Sequence, residues 1–204
     1  MTKIMKRNLL IFGCGLVLLV AGLIGDRYLR QQKPEIMPSL SHVSFDLVTH
    51  LNKPIRNEDL IGKPTAIYFG FTWCPDICPT TLSQLSDIRD ELGADSSFQI
   101  VFLTVDPLRD TPRQMAEYVS LFDSDILGIT GSEEAIMQAV SRFGAFAQKV
   151  SSPDGDEDDY LVDHTASVFL YDQKGRFKGT ISPAEPYEMA LAKLARLTET
   201  NRSQ

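Results

Sequence analysis

The chain has 204 residues, 43% hydrophobic and 23% charged, which is ordinary for one globular domain of about 150 residues plus extra segments. Three cysteines are too few for a disulfide framework, and a domain of this size buries its own core without one. Only three of the 20 basic residues (Lys3, Lys6 and Arg7) precede Asp26, so 17 face all 27 acidic residues from there on, a balance of −10. An acidic domain without basic stripes argues against nucleic acid as a partner, and solubility is the simplest use of the charge.

Leu9 to Gly25 is a run of 17 residues without charge, flanked by Lys3, Lys6 and Arg7 before it and by Asp26, Arg27 and Arg30 after it. At about 1.5 Å per helical residue it is at the short end of what crosses a bilayer. A cleaved signal peptide is the rival, but no Ala-x-Ala site closes the run, and Val20-Ala-Gly22 is a weak substitute. The reading adopted is an uncleaved signal anchor with a cytoplasmic N-terminus. Too few apolar residues precede Cys14 for a lipidated cysteine, so it reads as an inert membrane thiol. The expected layout is 1–8 cytoplasmic, 9–25 transmembrane, 26–40 tether, 41–199 folded domain and 200–204 tail. The expected location is a bacterial inner membrane, single-pass, with the domain in the periplasm.

Ser44 to Ile55 reads as a hairpin turning at Leu51-Asn-Lys-Pro54, and residues 57–64 as a loop or short helical turn. Thr65 to Phe71 is continuously apolar, as a central strand covered on both faces would be. Pro79 suits the first position of a helix whose apolar face is Leu82, Leu85, Ile88 and Leu92, closed by Gly93. Phe98 to Val105 is a second buried strand. Thr111-Pro-Arg-Gln114 opens a helix carrying Met115, Tyr118, Val119 and Phe122. Asp125 to Thr130 is a short strand candidate, and Ser132 caps a helix to about Phe146. Residues 151–159 lack the ligand spacing of a calcium loop and read as solvated. Thr165 to Tyr171 and Arg176 to Ile181 form a second hairpin, and Ser182-Pro-Ala-Glu185 opens the last helix, with Tyr187, Ala190, Leu191 and Leu194 inward. The fold class is α/β: a thioredoxin-like mixed sheet flanked by helices, with an N-terminal hairpin and a transmembrane helix before it.

Cys74 and Cys78 share the loop between the strand at 65–71 and the helix at Pro79. Thiols at i and i+4 on a nascent helix face lie about 5–6 Å apart at Cβ, a bite for one metal that also permits a disulfide. With Pro79 as first helical residue Cys78 becomes the N-cap, where the helix dipole favours the thiolate. Of the three histidines, His42 and His50 read as plain surface. His164 adjoins the apolar strand that begins at Thr165. On position alone an ordinary loop histidine is the simpler reading of it. Two thiolates with one imidazole would be a soft set suited to copper, Cu(I) in particular, and able to hold Cu(II).

The segments Gly70-Phe-Thr-Trp-Cys-Pro-Asp-Ile-Cys-Pro79, Val105-Asp-Pro-Leu-Arg-Asp-Thr-Pro112, Gly128-Ile-Thr-Gly131 and Asp158-Asp-Tyr-Leu-Val-Asp-His-Thr165 together resemble the Sco/SenC family of copper proteins, from about Phe45 to Leu197. The resemblance implies a thioredoxin-like fold, a membrane anchor, and copper delivery to the dinuclear centre of cytochrome c oxidase. It implies copper ligands at Cys74, Cys78 and His164, with the oxidase's copper-binding subunit as partner beside other copper chaperones, thiol–disulfide reductases and the bilayer. Trp73 stands where many members have His. Trp before Cys is a thioredoxin feature, so the alternative of a thiol–disulfide oxidoreductase stays open, with Cys74 and Cys78 as redox pair keeping the oxidase's ligand cysteines reduced. Against it, no proline stands at Asp163-His164, where thioredoxin-type enzymes carry one. Asp163 is the candidate to orient His164. A peroxiredoxin-like peroxidase lacks an identifiable arginine for the peroxide. On the leading reading the chain is a binding and transfer protein without turnover.

Overall fold

The computed structural model describes residues 37–93, 98–151, 160–183 and 185–199. The expected anchor at 9–25, its flank at 1–8, most of the tether, the polar loop at 152–159 and the tail lie outside the described residues. Among the described residues no helix is long and apolar enough to cross a membrane. The elements in chain order are β1 (Asp46–Thr49), β2 (Pro54–Arg56), β3 (Thr65–Gly70), α1 (Ile77–Leu92), β4 (Gln99–Thr104), α2 (Pro112–Val119), β5 (Leu127–Thr130), α3 (Glu133–Arg142), β6 (Ala147–Ser151), β7 (Tyr160–His164), β8 (Val168–Tyr171), β9 (Phe177–Ile181) and α4 (Tyr187–Glu199).

Seven strands form one mixed sheet in the order β2-β1-β5-β4-β3-β8-β9, and β6 pairs with β7 in a separate two-stranded sheet. The β5-β4-β3 centre is parallel, and β1, β2, β8 and β9 join antiparallel. Every residue of β3 is buried, as its unbroken apolar run demands. Side chains alternate between the faces. Ala66, Tyr68, Ile100, Phe102, Val168 and Leu170 pack with α1, α2 and α4, whereas Ile67, Phe69, Val101, Leu103, Phe169 and Tyr171 pack toward α3. On α1, Leu82, Leu85 and Ile88 are at most 1% exposed; each contributes about 2 kcal/mol on burial. His42 is exposed. His50 is not plain surface: its Nδ1 accepts the Gly128 N–H at 3.0 Å, linking the hairpin to β5.

Four boundaries differ from expectation. Helix α1 starts at Ile77, so Pro79 is its third residue and Asp76, not Cys78, its N-cap. An N–H there has no intrahelical acceptor either, so proline costs no more than at the first position. Helix α4 starts at Tyr187, although the Glu185 carboxylate accepts the Ser182 N–H at 3.1 Å. Pro186 bars its predecessor from helical backbone, so the box closes a turn instead of a helix. Helix α3 ends at Arg142 instead of about Phe146, because Gly144 (φ +70°) reverses the chain ahead of β6. The strand expected from Thr165 starts only at Val168, and His164 ends a separate strand, β7, instead of preceding the buried strand directly.

Asp110 draws the carboxyl end of the sheet together. It is fully buried. Its carboxylate accepts the Thr72 N–H at 3.1 Å, the Thr72 hydroxyl at 2.7 Å and the Thr104 hydroxyl at 2.6 Å. Its carbonyl accepts the Thr130 hydroxyl at 2.7 Å. The ends of β4 and β5 and the loop after β3 therefore meet at one residue.

Burial raises the Asp110 pKa above its ordinary 3.8. The folded state then binds this proton more tightly than the unfolded chain. The group's contribution is therefore largest below the unfolded pKa and declines as pH rises toward the raised folded value. In urea denaturation, Asp110→Ala is expected to lose about 3 kcal/mol, because the threonine donors stay buried without an acceptor. Asp110→Asn should lose less and should lack this fall in stability as pH rises above the ordinary carboxylate pKa.

Candidate metal centre

The carboxyl ends of β3 and β4 carry the site, as in other open α/β sheets. Beyond Gly70 the chain turns through Phe71 to Cys74, whose N–H donates to the Phe71 carbonyl at 3.2 Å. A Cβ on Gly70 would lie 2.6 Å from the Phe102 ring and 2.9 Å from Cys78 Sγ, so glycine makes the room in which the second thiol sits. Cys74 is half-buried and Cys78 is buried, and both are free thiols.

The Cys78 N–H, one of the donors left over at the start of α1, reaches Cys74 Sγ at 3.4 Å. The Cys78 side chain also donates to Cys74. That bond, with help from His164 and the backbone N–H, outweighs partial burial and lowers the Cys74 pKa to about 4. Cys78 moves the other way: its bond to Cys74 and its burial push it up. The pair holds one thiolate, at Cys74, and one thiol, at Cys78. Behind them the buried Tyr68 hydroxyl donates to Cys78 Sγ at 3.6 Å. Burial first, then the thiols, raise the Tyr68 pKa, so it remains a donor.

His164 arrives from β7. Its Nδ1 lies 3.2 Å from the Thr165 carbonyl, which can only accept. Nδ1 therefore carries a proton, and Nε2, 3.8 Å from Cys78 Sγ, is the nitrogen that faces the thiols. The ring is held edge-on by Phe71 at 5.8 Å and Tyr68 at 6.3 Å. Asp163 does not make the orienting contact: it is exposed, and neighbours along a strand point to opposite faces. The Thr165 carbonyl makes it instead.

The structure thus brings Cys74, Cys78 and His164 together. One ligand atom from each lies within 4.8 Å of the others, a group that can hold a metal ion. Bonds of about 2.3 Å to sulfur and 2.0 Å to nitrogen reach across such a gap with small side-chain adjustments. Two thiols and an imidazole are a donor set for copper. His42 and His50 are not among them. Trp73, 61% exposed, stacks near the Arg109 guanidinium at 5.7 Å instead of lining the thiols.

Several residues around the site carried no individual signal in the sequence reading. Tyr68 was legible only as a buried strand residue. Asp106, Arg109 and Asp110 lie in Val105-Asp-Pro-Leu-Arg-Asp-Thr-Pro112, where two carboxylates and an arginine beside a strand end were the available clue. Tyr160 lay beside a run of acids that reads as loop.

The SCO1/SenC family model matches residues 34–199. Protein sco1 of Schizosaccharomyces pombe is 41% identical over 137 residues, 66% of this chain and 52% of that protein, so the match spans about half of that relative. The structure of Bradyrhizobium japonicum ScoI with copper bound is 38% identical, with a TM-score of 0.68 over 76% of this chain and 97% of that one. Yeast Sco1 with copper bound is 30% identical, with a TM-score of 0.68 over 79% and 88%. The chain belongs to the SCO1/SenC family.

Two outcomes test this geometry. Iodoacetamide at about pH 6–8 should label Cys74 at a nearly pH-independent rate and leave Cys78 slow, read by peptide mass mapping; equal labelling of both would contradict the assigned thiolate. Gly70→Ala should displace Cys78 and cost about 1–3 kcal/mol by thermal unfolding, with weaker metal binding.

Proposed function

We propose that this member of the SCO1/SenC family is a membrane-anchored copper chaperone, with residues 9–25 as anchor, 26–40 as tether and 41–199 as a thioredoxin-like copper-binding domain in the periplasm. Copper is held by the thiolates of Cys74 and Cys78 and by His164 Nε2. It is delivered to the dinuclear copper centre of cytochrome c oxidase by ligand exchange with that subunit's cysteines. The observation that carries the reading is the convergence of these three side chains within 4.8 Å. The copper in the related ScoI and Sco1 structures supports the choice of metal. Binding releases the Cys78 proton, because thiols coordinate as thiolates. The Tyr68 hydroxyl then donates to a charged sulfur, and the Thr165 carbonyl keeps Nε2 free for the metal.

One observation favours a second reading, a thiol–disulfide oxidoreductase. A low-pKa, partly accessible Cys74 beside a protonated Cys78 is the arrangement for disulfide exchange. Cys74 would attack a partner disulfide and Cys78 would resolve the mixed disulfide. The dithiol becomes a disulfide and gives up two electrons and two protons, which reduce the partner's disulfide to two thiols. The two readings share one pair, so oxidation of the pair would block copper loading.

Anaerobic copper titration of the reduced protein separates them. One copper per chain, with thiolate charge-transfer absorption that changes in His164→Ala, is expected, together with an affinity loss of about 10- to 100-fold or more in that variant. Tight binding unchanged in His164→Ala removes His164 from the ligand set. No copper binding, with catalytic reduction of a protein disulfide, favours the oxidoreductase.

A further inference from the structure

The two kinds of ligand stand on differently supported parts of the fold. Cys74 and Cys78 are fixed to the seven-stranded sheet through β3 and α1. His164 ends β7, whose only strand partner among the described residues is β6. An isolated pair of strands is marginally stable by itself. The position of the imidazole therefore depends on what pins this ribbon to the domain.

At its base, Thr165 N–H donates to the Phe146 carbonyl and Phe146 N–H to the Thr165 hydroxyl, each at 2.9 Å. These bonds run between the two arms of the ribbon and do not stop it tilting. In its middle, Val162 is buried in the core. At the far end of β7, about 13 Å from His164, Tyr160 faces the same side as Val162 and His164. Its hydroxyl donates to Asp106 Oδ1 at 2.7 Å. Asp106 is fully buried, and its other carboxylate oxygen accepts Arg109 Nε. Its N–H is held by the Thr104 hydroxyl at 2.9 Å, so the acceptor is rigid. The Arg109 guanidinium lies over the Tyr160 ring, 3.7 Å from its centroid, and 5.9 Å from the Phe71 ring. Phe71 in turn meets His164 edge-on. A cation on an aromatic face contributes about 0.5–2 kcal/mol, more where water is excluded.

We propose that Tyr160, Asp106 and Arg109 form a latch that positions His164 against the thiol pair, with Tyr160 as positioning residue. Released at Tyr160, the ribbon tilts about its base and carries the imidazole away from Cys78, while the thiols stay in place. The proposal rests on the copper reading for its functional meaning, but its geometry is independent of metal.

The test uses the full chain as Tyr160→Phe, which removes only the hydroxyl, Tyr160→Ala, which also removes the stacked ring, and each combined with His164→Ala. In the reduced, metal-free proteins, NMR contacts of the His164 ring with Phe71 and Tyr68 should weaken in Tyr160→Phe and vanish in Tyr160→Ala. Unchanged contacts in Tyr160→Ala overturn the latch, whether or not the chain binds copper. For copper, chelator competition should show about a tenfold weaker affinity in Tyr160→Ala and a smaller loss in Tyr160→Phe, with nitrogen coupling to Cu(II) reduced in the electron spin resonance spectrum. In the His164→Ala background the Tyr160 changes should have no further effect on affinity. An equal loss with and without His164 overturns the proposal, since Tyr160 would then act on the fold and not through the histidine. If the parent chain binds no copper while the ring contacts respond as expected, the copper reading fails and the latch stands.

Discussion

A buried carboxylate held by hydroxyl and amide donors organises the working end of this domain. Asp110 takes its hydrogen bonds from Thr72 and Thr104, and its backbone takes one from Thr130. Burying a charge in this way is costly, and hydroxyl and amide donors offset the cost only if they stay aimed. The same residue also precedes Thr111, whose hydroxyl caps α2 by accepting the Gln114 N–H at 3.3 Å. One residue, through its side chain and its backbone, thereby couples the cysteine loop, two strand ends and a helix start. If it moved, the loop that presents Cys74 would lose its register with β4.

Around that anchor the ligands are prepared unequally. The thiols sit at a helix start, where spare N–H groups and the dipole favour negative charge. The histidine is prepared by a single carbonyl that selects its tautomer. Two neutral-to-anionic sulfurs are thus rigid, and the third donor comes in on a ribbon. A site assembled from two such parts can open at one ligand without unfolding.

Much of the architecture was readable because its signals are local. The unbroken apolar run of β3, the Thr111 cap, Gly93 after α1 and the turn at Leu51-Asn-Lys-Pro54 each state a backbone preference within a few residues. What was missed depends on distant partners. The β6–β7 ribbon is mostly exposed, with Gln148 and Lys149 outward, so its apolar alternation is faint. Gly144 was the one available stop signal, and the apolar Ala145-Phe-Ala147 beyond it still reads as helix. Pro186 and Pro79 each shifted a helix start through steric rules that a capping motif alone does not express. At the site, the three residues the resemblance implied are brought together, but their support is not legible in order. Asp106 and Tyr160 are 54 positions apart, and no short-range pattern couples an acid at a strand end to a tyrosine beside an acidic run.

Trp73 is the chain's single tryptophan, exposed, adjacent to Cys74 and beside Arg109. Its indole emission therefore originates at one place, next to the thiol pair. The protein carries a built-in optical reporter, with no second indole to dilute its signal. Emission from the native chain therefore has one indole source, on the cysteine loop, without any added dye.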